Sequence, residues 1–179
     1  MAFLVDTGVL DVLELGCRGL PQTMRDEAPR WSEVLHVSAL VWREFERARR
    51  GSALKGVVSG ESSPIALLSL PVTPETVRVL QRLRPVTGGD KNAGEDESLA
   101  LLMTEWPDLI WVSLDYRAVN RGLLELGQAR LMAPHELNLI LAERGLLSKS
   151  ELGAVYSAIQ RKCQTLTFPE RLRSRFERL

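Results

Sequence analysis

Short apolar runs alternate with helical patterns along most of this chain. Runs bounded by turn or charged residues predict five strands, near residues 2–6, 34–37, 65–71, 109–114 and 129–132. Helical patterns fill most of the intervals between them. Strands that alternate with helices favour a mostly parallel sheet covered on both faces, so we expect an α/β fold with three layers, α/β/α.

Local signals indicate where helices begin and where loops lie. Thr73-Pro74-Glu75 predicts a helix start, with Thr73 as the cap and Pro74 in the first turn. From Ala133 onward the pattern is helical, and Ser148-Lys149-Ser150-Glu151 supplies a cap and an acidic first turn. Gly, Ser and charged residues predict loops at 50–63 and 85–93.

The composition is that of an ordinary globular protein. The chain has 179 residues, of which 45% are hydrophobic and 26% are charged, so we expect one domain with appendages. Lys plus Arg and Asp plus Glu are equal at 23 each. Because the net charge is zero, any binding site for a polyanion must come from a local cluster of Lys and Arg residues. An RNA substrate is compatible with that balance.

The cysteines and the hydropathy indicate the cellular compartment in which we expect the protein. Cys17 and Cys163 are isolated and form no CxxC pair, which argues against a disulfide scaffold or a zinc site, and only two histidines are present. The N-terminus lacks a basic segment followed by a long apolar one. Since no later run approaches the roughly 18 apolar residues of a membrane span, we expect a cytoplasmic protein that does not enter a membrane.

Acidic residues stand at the ends of predicted elements that are far apart in sequence. Asp6 follows the first strand and Asp115 follows the fourth, and the carboxyl ends of parallel strands meet at one edge of a sheet. Glu44 shares a helix face with Leu40 and Val41. Carboxylates that converge without cations need a divalent metal ion, so the pattern indicates a metal site.

A third acidic position is the run Glu95, Asp96 and Glu97 at the start of an apolar helix. At about 100° per residue, Glu95 shares the face of Leu99 and Leu102, whereas Glu97 points roughly the opposite way. Each acidic position also has an ordinary structural role. Asp6 and Asp115 could cap helices, Glu44 could extend into solvent, and the run could complement the helix dipole.

Four segments together resemble the PIN domain family, small α/β metal-dependent ribonucleases that include many toxins of toxin-antitoxin pairs. They are the stretches 3–10, 37–44, 94–101 and 111–115, which carry Phe-Leu-Val-Asp-Thr, Val-Ser-Ala-Leu-Val-Trp-Arg-Glu, Gly-Glu-x-Glu, and Trp-Val-Ser-Leu-Asp. The resemblance covers residues 1–133, which implies a PIN-like nuclease domain followed by a helical extension over 134–179. That extension would pack on the same domain or on a partner.

The resemblance implies an endoribonuclease that hydrolyses RNA phosphodiesters with one or two Mg²⁺ or Mn²⁺ ions, which would activate water and stabilise the leaving oxygen. The implied ligands and catalytic residues are Asp6, Glu44, Glu95, Asp115 and, through the second Glu of its motif, Glu97. The Thr7 hydroxyl would orient a ligand or water. An RNA substrate and an antitoxin are the implied partners, and a homodimer is a further expectation that comes from the C-terminal segment.

Basic residues near two of these motifs are candidate phosphate contacts. Arg117 and Arg121 lie just beyond Asp115, and we take both as possible RNA contacts. Further cations lie downstream of Glu44, namely Arg47, Arg49, Arg50 and Lys55. All of them could equally be ordinary solvated side chains.

The tail and the overall pattern leave alternatives open. Phe168, Leu172, Phe176 and Leu179 recur at helical spacing, which predicts an amphipathic terminal helix that covers its own domain, pairs with a partner or contacts RNA. A non-catalytic PIN-like nucleic-acid-binding module is the main functional alternative. A phosphoacceptor receiver-type domain is a weaker one, because it requires adjacent acids after the first strand. An aspartic protease is weaker still, since those proteins are rich in β-structure.

Overall fold

Five parallel strands form the central sheet of the computed structural model. The structure describes residues 1–17, 19–48, 52–58, 63–87 and 92–179, with the backbone alone at 85–87. The strands are β1 (Phe3–Val5), β2 (Leu35–Ser38), β3 (Ala66–Leu68), β4 (Ile110–Val112) and β5 (Leu131–Met132), and their spatial order is β3-β2-β1-β4-β5. All five predicted strands are confirmed, and all of them except β2 are shorter than their apolar runs.

Ten α-helices surround the sheet in the described part of the chain, which confirms the three-layer α/β/α expectation. They are α1 (Thr7–Gly16), α2 (Leu20–Asp26), α3 (Ala28–Ser32), α4 (Ala39–Ala48), α5 (Pro74–Thr87), α6 (Ala93–Thr104), α7 (Tyr116–Leu126), α8 (Pro134–Glu143), α9 (Lys149–Lys162) and α10 (Arg173–Glu177). No described helix is both long enough and apolar enough to cross a membrane.

The central strand β1 divides the hydrophobic core into two parts. Its side chains alternate between the two faces of the sheet. Phe3 and Val5 belong to one buried cluster, which includes side chains of α1, α4, α8 and α9, whereas Leu4 belongs to a second, formed mainly by α5, α6 and α7. All three residues are fully buried, because β1 has a strand on each side and helices on both faces.

Residues 134–179 pack on the same domain as the rest of the chain. Helix α9 lies directly against α1, and a Cβ atom added at Gly16 would be only 2.5 Å from Val155 Cγ2. The predicted start of α9 is confirmed, because Ser148 and Glu151 form a reciprocal capping box. The extension therefore contributes to one shared core rather than to a separate one.

The terminal helix is shorter than the amphipathic pattern predicts. A 3₁₀ turn at Glu170–Leu172 and α10 replace a continuous helix from Phe168, which precedes Pro169 and is thereby disfavoured from helical conformation. Leu172 is 2% exposed, and Phe168 and Phe176 both pack on the Tyr156 ring. The tail therefore covers its own domain, while roles in pairing or RNA contact stay predictions.

The two predicted loops are only partly described. Within 50–63, Ala53–Gly56 forms a 3₁₀ turn capped by Ser52, and residues 50, 51 and 59–62 lie outside the described part. The second loop was placed too early, because α5 continues to Thr87. The predicted cap of α5 is confirmed, because the Thr76 N–H at the start of this helix donates to Thr73 Oγ1 at 3.2 Å.

Candidate active site

The chain reverses its direction of travel across the sheet between β1 and β4. From β1 it continues to β2 and β3 on one side, and β4 and β5 follow on the other, so a crevice opens at the carboxyl ends of β1 and β4. Asp6 is the first residue after β1, and its N–H donates to the Val112 carbonyl at 3.3 Å. This point in the topology is where open α/β sheets usually bind ligands.

A pocket of about 370 Å³ occupies this crevice, and it contains four of the predicted acidic residues. They arrive from four elements: the end of β1, α4, the first turn of α6 and the start of α7. The acidic lining residues are Asp6, Glu44, Glu95 and Asp115, and the others are Thr7, Gly8, Val41, Leu114, Lys162 and Cys163. The structure thus brings the predicted quartet together and places Thr7 beside it.

Asp6 links the ends of the two central strands. Its Oδ1 accepts a hydrogen bond from the Val9 N–H at 2.8 Å, and its Oδ2 accepts from the Ser113 hydroxyl and from the Leu114 N–H. Burial raises the pKa of Asp6, while these hydrogen bonds and the charge of Lys162 oppose the rise. Ser113 was not among the predicted site residues, although its place directly after β4 was the signal.

Asp115 caps α7 as well as lining the pocket. Its Oδ1 accepts hydrogen bonds from the N–H groups of Arg117 at 2.7 Å and Ala118 at 3.4 Å. Asp115 is exposed, whereas Asp6 is half-buried. The capping role and the pocket role therefore coexist at both aspartates, because a carboxylate has about four lone-pair positions.

Glu44 lies at the rim of the pocket, against the first turn of α6. Its Oε1 accepts a hydrogen bond from the Gly94 N–H at 3.2 Å. Loss of hydration raises the pKa of Glu44, and the Gly94 hydrogen bond and Arg47 lower it. The residue is exposed, with Val41 beside it in the pocket wall, so the apolar helix face leads to the pocket rather than into the core.

The three consecutive acids of α6 have three separate environments. Glu95 lines the pocket, and burial, followed by the charge of Asp115, raises its pKa to about 7. Asp96 forms a buried ion pair with Arg121 at 2.5 Å. Glu97 Oε2 accepts a hydrogen bond from the Leu40 N–H at 2.7 Å.

Helical phase predicted that Glu95, rather than Glu97, points toward the site, and Glu95 is the one that lines the pocket. Glu97 was included as a metal ligand on the resemblance alone, and that assignment stays a prediction, although Glu97 is near enough for its charge to raise the pKa of Glu44. Glu97 holds the first turn of α4 and does not line the acidic pocket, because it lies on another face of α6.

The predicted RNA contacts are only partly accessible. The Arg121 side chain is 10% exposed, and it donates to the Leu83 carbonyl at 2.9 Å in addition to pairing with Asp96. Its role is to join α5, α6 and α7, so the expectation that it contacts RNA is not met. Arg117 is exposed but does not line the pocket, and Arg49 and Arg50 lie outside the described residues.

Lys162 is a pocket residue that sequence reasoning missed. It lies in the last turn of α9, lines the acidic pocket, and forms an ion pair with Asp11 of α1. Its side chain is 37% exposed, whereas that of Asp11 is 10% exposed. The C-terminal extension thus contributes a cationic residue to the pocket lining, and the charge of Lys162 opposes the rise in the pKa of Asp6.

The carboxylates suit a hard divalent cation in donor chemistry, since Mg²⁺ and Mn²⁺ prefer oxygen ligands. Among the described residues, however, no three Asp, Glu, His or Cys side chains are grouped closely enough to hold a metal ion as they stand. The pocket therefore fits the cation by the kind and number of its donors. Binding would require these side chains to draw together.

Comparisons with known proteins add no assignment: no family model matches the chain, and no curated protein or solved structure matches it either.

Proposed function

We propose that this chain is an Mg²⁺- or Mn²⁺-dependent endoribonuclease of the PIN type. The observation that carries the proposal is the pocket between β1 and β4, where four separate elements each contribute a carboxylate. Burial and mutual repulsion raise the pKa of Glu95 to about 7, which means that the pocket disfavours its own ionised state. A bound cation would relieve that cost.

Asp6, Glu44, Glu95 and Asp115 would hold the cation, with Thr7 orienting one of them. When bound, Mg²⁺ or Mn²⁺ supplies stabilisation of the negative charge that develops on a phosphodiester during hydrolysis. Ser113 and the Leu114 N–H fix the Asp6 carboxylate at the end of β1. Lys162 also lines the pocket, and its positive charge would attract a substrate phosphate.

An Asp6→Asn variant tests this assignment. The amide oxygen of Asn can still cap α1, but its NH₂ group replaces the oxygen that accepts from Ser113 and the Leu114 N–H, so circular dichroism must show that the variant is folded. In the folded variant, metal-dependent cleavage of single-stranded RNA should fall to background. Asp26→Asn, on the exposed surface of α2 and outside the pocket, is the matched control and should cleave normally. Full activity in purified, folded Asp6→Asn protein would contradict the proposal.

The pair Glu95→Gln and Glu97→Gln tests the third ligand. Glu95 lines the pocket and Glu97 does not, so only the first substitution should weaken Mn²⁺ binding measured by calorimetry. Equal losses in both variants would mean that both glutamates serve the site.

A non-catalytic nucleic-acid-binding module is the second candidate, favoured by the lack of a preassembled ligand set among the described residues. RNA binding without a carboxylate-dependent Mn²⁺ site would support it. A toxin role with a cognate antitoxin, a homodimer and a cytoplasmic location belong to the nuclease proposal. The gene beside this one tests the toxin role, because an adjacent small DNA-binding antitoxin would be expected there.

A further inference from the structure

A larger pocket, of about 680 Å³, opens beside the acidic pocket. It lies between α7, β5 and the segment that follows α9, and we call it the apolar pocket. The two pockets share Leu114 and Cys163 as lining residues, so they form neighbouring parts of one depression. Its size is within the roughly 300–1,000 Å³ of ordinary ligand sites.

Two aromatic side chains distinguish the walls of the apolar pocket. Trp111 is 1% exposed, with its six-membered ring against Gly122, where an added Cβ would be 2.6 Å from Trp111 Cε3. Its indole N–H has no hydrogen-bond partner among the described residues. Tyr116, by contrast, is 76% exposed while also lining the pocket, so it offers a ring at the entrance.

The two pockets are joined through consecutive residues of the chain. Asp115 lines the acidic pocket and Tyr116 lines the apolar one, and consecutive Cα atoms are about 3.8 Å apart. A phosphate held near Asp115 would therefore place the base of its own nucleotide within reach of Tyr116. Aromatic rings bind bases of any sequence, because every base has a flat π-face.

We propose that the apolar pocket binds the nucleobase that flanks the phosphodiester held in the acidic pocket. The inference rests on the proposed function for its biological meaning, although the binding site can be tested by itself. Tyr116 provides the stacking surface, and Leu123 and Met132 provide apolar walls. Trp111 also lines this pocket, so its indole N–H resonance can report whether the pocket is occupied.

The test is a titration of the full chain with adenosine in the presence of a chelator. This nucleoside carries no phosphate, so it requires neither a metal ion nor the acidic pocket. The indole ¹⁵N–H resonance of Trp111, assigned with Trp111→Phe, should shift in a saturable way. The resonances of Trp31 and Trp42, which do not line this pocket, should not shift.

Variants at the entrance identify the stacking surface. Tyr116→Ala should weaken adenosine binding about fivefold or more, as expected for loss of one stacked ring, whereas Tyr116→Phe should retain it. Leu123→Glu should also weaken binding, because it places a charge in the apolar wall. Leu124→Glu is its matched control, since Leu124 is 86% exposed on the same helix and does not line the pocket.

The outcomes separate this inference from the proposed function. Saturable adenosine binding that depends on Tyr116, in a protein without nuclease activity, would support the base site and remove the nuclease assignment. Metal-dependent cleavage with no adenosine shift, or with a shift that Tyr116→Ala leaves intact, would overturn the base site. A saturable shift of the Trp111 indole resonance on addition of an apolar peptide, with no shift on addition of adenosine, would also overturn the base site.

Discussion

Gly94 lies in direct contact with the carboxylate of Glu44. Its N–H donates to Glu44 Oε1 at 3.2 Å, and a Cβ atom at this position would be 2.9 Å from Oε2 and 3.0 Å from Oε1. Real Cβ atoms are hardly ever found that close to another heavy atom. The glycine that precedes Glu95 therefore determines how closely Glu44 can approach the first turn of α6.

Gly94→Ala should displace Glu44 while leaving the fold intact. Glu44 is an exposed side chain that can move away, whereas the added Cβ would also lie 3.0 Å from Cγ2 of the buried Val41, so we expect a modest loss of thermal stability. Removal of a positioning partner typically weakens metal binding by about 10- to 100-fold, and Mn²⁺ calorimetry should show a loss in that range. Gly153→Ala, in α9 with no atom within 4 Å of the added Cβ, is the control. Unchanged Mn²⁺ affinity in Gly94→Ala would remove Glu44 from the ligand set.

The raised pKa of Glu95 predicts that the metal-free protein loses stability as the pH rises. The pKa in the folded state is about 7 against an ordinary 4.5, so between these values the folded state binds the proton that the unfolded state releases. The stabilisation is complete below about pH 4.5 and is lost as the pH rises through 7. Asp6 and Glu44 shift in the same direction.

Thermal unfolding at pH 5 and pH 8 measures this dependence. Glu95→Gln should be more stable than wild type at pH 8, by on the order of 1 kcal/mol once solvent screening of a half-exposed group is allowed for. The difference should vanish at low pH. Adding Mn²⁺ at pH 8 should raise the stability of wild type more than that of the variant, and an equal rise in both would argue against Glu95 as a ligand.

Lys162 should attract substrate phosphate. Lys162→Met should weaken binding of single-stranded RNA and reduce the slope of log affinity against log salt by about 0.7, the value for one lost phosphate contact. The substitution also removes the ion pair between Lys162 and Asp11. The double variant with Asp11→Asn therefore separates loss of stability from loss of RNA contact. Arg161→Met, exposed in the same turn and outside the pocket, should leave the slope unchanged.

The close packing of α1 on α9 should be sensitive to side-chain size at Gly16. An added Cβ would lie 2.5 Å from Val155 Cγ2 and 2.6 Å from Val155 Cα, and backbone atoms cannot swing aside. We expect Gly16→Ala to destabilise the protein by about 1–3 kcal/mol in urea unfolding, as overpacked cores do. Gly153→Ala should be neutral or stabilising, which would show that the loss at Gly16 comes from contact rather than from helix propensity.

The parts of the site that depend on local chain geometry were predictable from the sequence. Asp6 and Asp115 follow buried strands, and parallel strands place such residues at one edge of the sheet. Helical phase selected Glu95, since neighbouring positions on a helix differ by about 100°. In each case the determining residues lie within a few positions of the side chain.

The parts that depend on distant contacts were not predictable. Lys162 pairs with Asp11, which is 151 positions earlier in the sequence. The residue pattern of α9 does not indicate which part of the fold its last turn packs against. Arg121 was misjudged because closeness to Asp115 in sequence does not reveal which face of α7 meets Asp96. Packing between the layers of the fold determines which side chains share a pocket. Sequence periodicity does not reveal this, because it describes each helix or strand separately.

Helix α9 gives the site a dependence on the order of synthesis. Residues from both ends of the chain line the same pocket, with Thr7 near the start and Lys162 and Cys163 some 155 positions later. On the ribosome, the five strands and the acidic pocket residues emerge before α9. The pocket is therefore complete only after translation has passed α9, so a nascent chain that stalls earlier carries the acidic residues without Lys162.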